Sequence, residues 1–183
     1  MSVRPLVAVF GSSTIPEPGP EYREAEELGS RLARAGADVI TGGYGGAMAA
    51  CSRGAHEAGA HVVGVTVELF ESRGPVNRWV KERVHTSDLF ERLRYIIGRA
   101  DAFIAGSGSV GTIAEILLTW NLLLAQARSP APLVLLGAPW KGWLEAHREP
   151  GLVLPGLFAF VQLADTPDEA VRLALDGAGP GSA

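Results

Sequence analysis

The chain has 183 residues, a net charge of −4, 47% hydrophobic residues and one cysteine. That length fits one domain with a full core, and the hydrophobic share excludes a disordered chain. The absence of a basic run argues against a protein devoted to nucleic-acid binding, and the lone Cys51 excludes an internal disulfide.

Residues 5–10 (Pro-Leu-Val-Ala-Val-Phe) are a short apolar run ending at Gly11-Ser12-Ser13, which predicts a strand and then a loop. Three prolines make 14–20 an irregular connection. Glu21 to Ala35 places Ala25, Leu28, Leu32 and Ala35 on one helical face, and Gly36 closes that helix. A strand over 38–41 leads into Gly42-Gly43-Tyr44-Gly45-Gly46. Small residues then predict a helix over 46–58, in which Cys51 is a buried, inert thiol, followed by a strand over 61–67.

Residues 68–80 break the rhythm and predict a long loop or flap, followed by a short strand at 83–85. A helix over 88–99, capped by Ser87 or Asp88, precedes a strand at 101–105 and a helix at 112–127. A strand at 131–136, a short helix at 140–147, a strand at 158–163 and a helix at 167–175 complete the pattern. Short apolar strands alternating with helices predict an α/β fold. It is a single domain over 1–176 with a doubly wound, mostly parallel sheet and helices on both faces. The Gly/Ala/Ser/Pro tail at 177–183 is expected to fray.

In such a sheet, ligands bind beyond the carboxyl ends of the strands, at the switch in strand order. The loops at 11–13, 42–46 and 106–111 all follow strand ends, so they are expected to meet in one cleft. No apolar stretch is long enough to span a membrane, and Arg4 and Pro5 precede too short an apolar run for a signal peptide. A cytoplasmic protein without membrane or nucleic-acid partners is expected. Helix 112–127 is apolar on nearly every face, from Ile116 to Leu124. Such a helix needs cover on both sides, which predicts a homodimer built on it.

The stretch Asp101 to Glu115 carries the most chemistry. A strand, a glycine turn and a helix start leave several backbone N–H groups aimed at one spot, an anion site suited to phosphate. Gly106-Ser107-Gly108-Ser109-Val110-Gly111 matches a dinucleotide fingerprint. The ribose-binding acid expected after the next strand is missing, because Gly137-Ala138-Pro139 stands there. Thr112-Ile113-Ala114-Glu115 reads as a capping box. Glu115 also lies beside the anion site, where the helix dipole is expected to keep it ionised and unfit as a general acid. Arg92 alone would be a solvated helix residue. Ser12 and Ser13 could donate to phosphate or cap their turn. His56, His61, His85 and His147 show no metal-ligand spacing, and no metal or cofactor is expected.

Together these pieces resemble the LOG ("Lonely guy") family, whose members also carry a lysine-decarboxylase label. The family's Pro-Gly-Gly-x-Gly-Thr-x-x-Glu motif is similar to Ser107 through Glu115. Its Gly-Gly-x-x-Gly-Leu-Met segment is similar to Gly42 through Met48, and its Gly-Ser-Ser to Gly11-Ser12-Ser13. Its characteristic arginine, in a helix leading to Asp101-Ala-Phe-Ile104, is matched by Arg92. The resemblance implies a Rossmann-like homodimer that binds nucleoside 5′-monophosphates. It implies hydrolysis of the N-glycosidic bond of AMP or cytokinin riboside monophosphates, giving free base and ribose 5-phosphate.

On that resemblance Arg92 and Glu115 take the catalytic positions. Ser12, Ser13, Gly43, Gly45, Gly46, Met48, Gly108, Ser109, Val110, Gly111 and Thr112 take the nucleotide- and phosphate-binding ones. The flap at 68–80 would close over the base. Ser107 and Ser109 replace the motif's proline and second glycine, Leu93 replaces a lysine, and Ala114-Glu115 replaces a double glutamate. These departures predict retained phosphate binding with altered substrate choice or weakened turnover, and strain at Ser109 if that position needs a positive φ. The decarboxylase label finds no support, because neither Lys81 nor Lys141 lies near a glycine loop to form a Schiff base. The alternatives are a binding module for a nucleotide or phosphorylated cofactor, as in molybdenum-cofactor carriers, and a dehydrogenase.

Overall fold

The computed structural model describes residues 3–147 and 155–176. The strands are β1 (Leu6–Phe10), β2 (Asp38–Thr41), β3 (Val62–Val67), β4 (Glu82–Thr86), β5 (Ala102–Ala105), β6 (Leu133–Leu136) and β7 (Val161–Ala164). The helices are α1 (Pro20–Arg34), α2 (Ala47–Glu57), α3 (Leu89–Arg99), α4 (Val110–Leu124), α5 (Ala138–Ala146) and α6 (Pro167–Asp176). The strands form one seven-stranded sheet in the order β4-β3-β2-β1-β5-β6-β7. Every pairing is parallel, with Leu6 opposite Asp38 and Val7 opposite Ala102 at the centre. The sheet is therefore wholly parallel, where the sequence predicted a mostly parallel one.

The sequence pattern explains the layers. The central strands β1, β5 and β6 are short runs of Val, Ile, Leu, Phe and Ala, and β2 buries Val39, Ile40 and Thr41, as a parallel sheet covered on both faces requires. Leu28 and Leu32 of α1, Cys51 of α2, and Ala170 and Ala174 of α6 pack on one face. Ile96 of α3, Ile116 and Trp120 of α4, and Trp140 and Leu144 of α5 pack on the other. The two faces come from opposite sides of the same strands, since side chains alternate along a strand. The small residues of α2 allow its backbone to touch α1: a Cβ on Gly29 or Gly54 would collide with the Cys51 or Glu26 carbonyl of the facing helix. Burial pushes the Cys51 thiol up to about 12, so it stays protonated.

Helix ends follow local chemistry. Asp88 caps α3 by accepting the Glu91 N–H at 2.8 Å. Gly36 and Gly59, just past α1 and α2, take φ of +87° and +88°.

Two boundaries that bear on the site and the core differ from the sequence reading. Phe158 belongs to a 3-10 turn (Pro155–Phe160), and β7 begins only at Val161. Helix α4 starts at Val110 rather than Thr112, so Ser109 is its N-cap and the capping box does not form. The physical cause is Gly108. Thr112 is buried against the turn, and any Cβ on Gly108 would occupy its side chain's place. The tail predicted to fray, 177–183, lies outside the described residues. No helix among the described residues is long and apolar enough to cross a membrane.

Candidate active site

β1 has β2 on one side and β5 on the other, so the strand order turns back at β1. The three loops leaving these strands are fastened to each other through backbone. Ser12 N–H donates to the Ser107 carbonyl at 3.0 Å, Ala47 N–H to the Ser12 carbonyl at 2.8 Å, and Gly106 N–H to the Phe10 carbonyl at 3.0 Å. A cleft of about 630 Å³ opens among them. A second groove, about 460 Å³, runs between α1 and α2, but its Arg31 is already paired with Glu27 and Asp168.

The polar end of the cleft is the start of α4. Its first helical hydrogen bond runs from Ile113 N–H to the Ser109 carbonyl, and no side chain caps the helix. The N–H groups of Val110, Gly111 and Thr112 precede that bond and have no partner within the helix. They are the positive end of the helix dipole, which favours an anion. Ser109 has φ −115° and ψ −159°, ordinary extended backbone, so the serine replacing a glycine sits without strain. The Ser12 hydroxyl bonds Thr14 Oγ1 at 2.9 Å and accepts the Thr14 N–H at 3.2 Å, and both residues line the cleft.

Arg92 of α3 and Glu115 of α4 meet across the cleft floor, with Arg92 Nη1 3.9 Å from Glu115 Oε1. Arg92 is only 6% exposed, not the solvated residue its sequence context suggests. Its Nε–H donates to the Val65 carbonyl at 2.8 Å. Its guanidinium lies 6.0 Å from the Tyr44 ring centre and 5.8 Å from that of Phe70. Gly42 admits this packing, since a Cβ there would strike the guanidinium. Burial lowers the Arg92 pKa, and the facing Glu115 carboxylate opposes that shift. Arginine starts so high that it remains a cation.

Glu115 corrects a sequence expectation. Burial pushes its carboxyl up to about 7, and Arg92 offsets only part of the effect. The helix dipole does not keep it ionised, because Glu115 lies more than a turn inside a helix beginning at Val110, beyond the dipole's short reach. A carboxyl raised toward neutrality in this way suits an acid–base role.

Of the residues singled out in the sequence, Ser12, Ser13, Gly45, Met48, Arg92, Ser109, Val110, Gly111, Thr112 and Glu115 line the cleft. Gly43, Gly46 and Gly108 do not; they brace it. Gly43 has φ +78° and packs on Gly64, whose Cα would lie 3.2 Å from an added Cβ. Gly46 has φ +61°, and an added Cβ would collide with the Ser12 carbonyl. Thr14, Tyr44 and Phe70 also line the cleft and were not singled out. Tyr44 was legible, lying inside the glycine cluster. Phe70 carried no local signal, because its turn follows β3 and reaches the cleft through the parallel pairing of β3 with β2.

The 68–80 segment is not a free flap. The Tyr44 hydroxyl accepts the Val67 N–H at 2.9 Å and donates to the Val67 carbonyl at 3.0 Å. Asn77 N–H donates to the Gly43 carbonyl at 2.8 Å, and Asn77 Nδ2 to the Tyr44 carbonyl at 3.1 Å. Between these ties runs a 3-10 turn, Glu68–Arg73, that carries Phe70. No group of three or more His, Cys, Asp or Glu side chains gathers as a metal site among the described residues.

Comparison with known proteins adds sequence relatives to this geometry. A family model described as SLOG cluster4 matches residues 4–123. A rice protein, named as "Probable cytokinin riboside 5'-monophosphate phosphoribohydrolase LOGL2", is 30% identical over 157 residues, 82% of this chain. A Mycobacterium tuberculosis protein named cytokinin riboside 5′-monophosphate phosphoribohydrolase is 28% identical over 155 residues, 81% of this chain and 82% of its own length. The chain spans between half and two thirds of the first plant relatives' length, 64% for the rice protein and 50% for an Arabidopsis thaliana one. Among solved structures, the molybdenum cofactor carrier protein from Chlamydomonas reinhardtii superposes with a TM-score of 0.71 at 25% identity. That match covers 96% of this chain and 98% of the other.

Proposed function

This chain belongs to the SLOG cluster4 family, and from that premise we propose that it hydrolyses the N-glycosidic bond of a nucleoside 5′-monophosphate such as AMP or a cytokinin riboside monophosphate. The observation that carries the reading is the buried Arg92–Glu115 pair, with a carboxyl that titrates near neutrality beneath an uncapped helix N-terminus. The phosphate sits on the N–H groups of Val110, Gly111 and Thr112, with hydroxyls from Ser12, Ser13 and Ser109 around it. The ribose then lies over Glu115.

Chemistry follows from one carboxyl group used twice. As the C1′–N bond breaks, its electron pair leaves with the base, and the Glu115 acid gives that nitrogen a proton. The resulting carboxylate, opposite Arg92, stabilises positive charge at C1′. Water adds to C1′ and returns its proton to Glu115, so free base and ribose 5-phosphate leave and the acid is restored. This supplies the proton donor that the sequence alone did not reveal.

A second reading is a carrier that binds a phosphorylated cofactor without cleaving it. It is supported by the likeness to the molybdenum cofactor carrier and by a cleft lining without any lysine. The test is incubation of the purified protein with AMP and cytokinin riboside monophosphates, with free base measured by chromatography. Glu115→Gln is expected to lower turnover by roughly 10²–10⁴-fold, the usual worth of a general acid, while ribose 5-phosphate still binds. Tight AMP binding without base release selects the carrier instead.

We also propose a homodimer through α4. Its Ile116, Trp120 and Leu123 pack on the sheet. Phe158 packs edge-on against Trp120 at 5.3 Å. Val110 and Leu117 stay 81% and 45% exposed on the same helix, a face for a second copy. Light scattering at micromolar concentration is expected to give twice the chain mass, and a monomer mass overturns the proposal. A cytoplasmic location belongs to the same proposed reading.

A further inference from the structure

Strand β3 outruns one of its neighbours. β2 ends at Thr41, opposite Gly64, while β3 continues to Val67 beside β4. Along β3 the backbone groups alternate in direction. The His61 carbonyl accepts from Val39 of β2, and the Val62 carbonyl accepts from Lys81, next to β4. The same alternation turns the groups of Val65 and Val67 toward the β2 side, past the point where β2 has ended. Val65 and Val67 are fully buried, so these groups need partners other than a strand.

Two side chains supply them. The Val65 carbonyl accepts Arg92 Nε–H at 2.8 Å. The Tyr44 hydroxyl accepts the Val67 N–H at 2.9 Å and donates to the Val67 carbonyl at 3.0 Å. Two residues of strand span about 6.6 Å. The Arg92 guanidinium lies 6.0 Å from the centre of the Tyr44 ring, so successive anchor points on one strand set the cation beside the ring. Phe70 closes the corner, 5.8 Å from the guanidinium and edge-on to Tyr44.

A guanidinium held by Nε alone can swing about that nitrogen. Nη1 stands 3.9 Å from Glu115 Oε1, too far for a hydrogen bond to hold it. What limits the swing is packing, and Tyr44 is the rigid part of it. The residue is 8% exposed, its hydroxyl is bonded twice, and its carbonyl accepts Asn77 Nδ2 at 3.1 Å. Phenylalanine would fill the same space but leave both Val67 groups unpaired, a cost that a buried strand end relieves by shifting.

We propose that Tyr44 is a positioning residue, its hydroxyl closing the open edge of β3 so that its ring holds the Arg92 guanidinium opposite Glu115. The inference rests on reading Arg92 and Glu115 as the reacting pair.

The test reads Arg92 directly on the full chain. NMR follows hydrogen exchange at Arg92 Nε–H, assigned by its absence in Arg92→Lys, beside the backbone amides of β1 and α4 as the measure of global stability. Free base released from AMP and cytokinin riboside monophosphates is measured in parallel. In Tyr44→Phe, exchange at Arg92 Nε–H should speed up by roughly 5- to 100-fold, the net worth of two hydrogen bonds, with the β1 and α4 amides unchanged and base release lowered. Tyr44→Leu, which lacks the ring as well, should loosen Arg92 at least as far. Equal acceleration at Arg92 and at the β1 amides overturns the proposal, since it marks a merely structural residue. Unchanged exchange at Arg92 overturns it too, as does a loosened Arg92 beside undiminished base release from an active chain. Should neither variant fold, the wild type decides. Arg92 Nε–H and Val67 N–H exchanging within about tenfold of each other support the proposal, and faster exchange at Arg92 than that overturns it. Local release of Arg92 in Tyr44→Phe supports the proposal even where wild type releases no base, an outcome that overturns the hydrolase reading alone.

Discussion

The loop after β2 and the loop after β5 are both rich in glycine, yet glycine serves a different end in each. In the first, Gly43 and Gly46 have φ of +78° and +61° and are packed against backbone, so the residue is needed for conformation and for space. Asn77 and Tyr44 then tie that loop to the neighbouring segment. In the second, Gly106, Gly108 and Gly111 all lack positive φ, and Gly111 has nothing within 4 Å of an added Cβ. The first loop needs its glycines for backbone conformation; the second starts a helix without that need, and of its three glycines only Gly108 is closely packed, against Thr112. Composition alone does not separate them, because the distinction is where the missing Cβ would point.

Substitutions sharpen or break that contrast. Gly46→Ala should have the largest effect, because it meets both a conformation that L-residues avoid and a collision with the Ser12 carbonyl. Roughly 2–4 kcal/mol of stability should be lost, read from urea denaturation. A loss under about 1 kcal/mol would mean that the brace is soft.

The next effect belongs to the helix that the second loop begins. Glu115 titrates at about 7 in the folded chain against an ordinary 4.5, so between those values the native state holds more protons than the unfolded one. The stability this group contributes is therefore full below pH 4.5 and lost as pH rises to about 7. That loss is on the order of 1–3 kcal/mol. Denaturation of wild type and Glu115→Gln across this range should show the slope in the first and not in the second. Parallel slopes would mean that Glu115 is solvated.

Gly111→Ala should have the smallest effect, a stability unchanged or higher by at most about 1 kcal/mol, since alanine favours a helix and meets no neighbour. Thermal unfolding checks it. A loss as large as that of Gly46→Ala would erase the contrast between the loops.

Much of the fold was legible. The apolar runs at β1, β2, β3 and β5 and the helix stops at Gly36 and Gly59 are local signals, set by burial and by backbone freedom. The start of α4 was misread because Thr112-x-x-Glu115 has the spacing of a capping box. Its threonine is instead drawn inward by the space at Gly108, a contact that spacing does not encode. Phe158, within the strand expected over 158–163, instead packs edge-on against Trp120 from a 3-10 turn. Within the cleft, the residues of the glycine loops and of the Glu115 motif could be picked out from order and spacing. Phe70 could not.

What the sequence determined by itself is the wound α/β order, the meeting of three loops at strand ends, and the pairing of a helix start with a carboxylate. All follow from short-range periodicity, turn chemistry and parallel topology. What only the tertiary structure decided is the state of that carboxylate and its surroundings. Burial of Glu115 against Arg92 raises its pKa, and the aromatic wall of Tyr44 and Phe70 encloses its partner. Solvation and long-range packing set both, and neither is carried by residues adjacent in the chain.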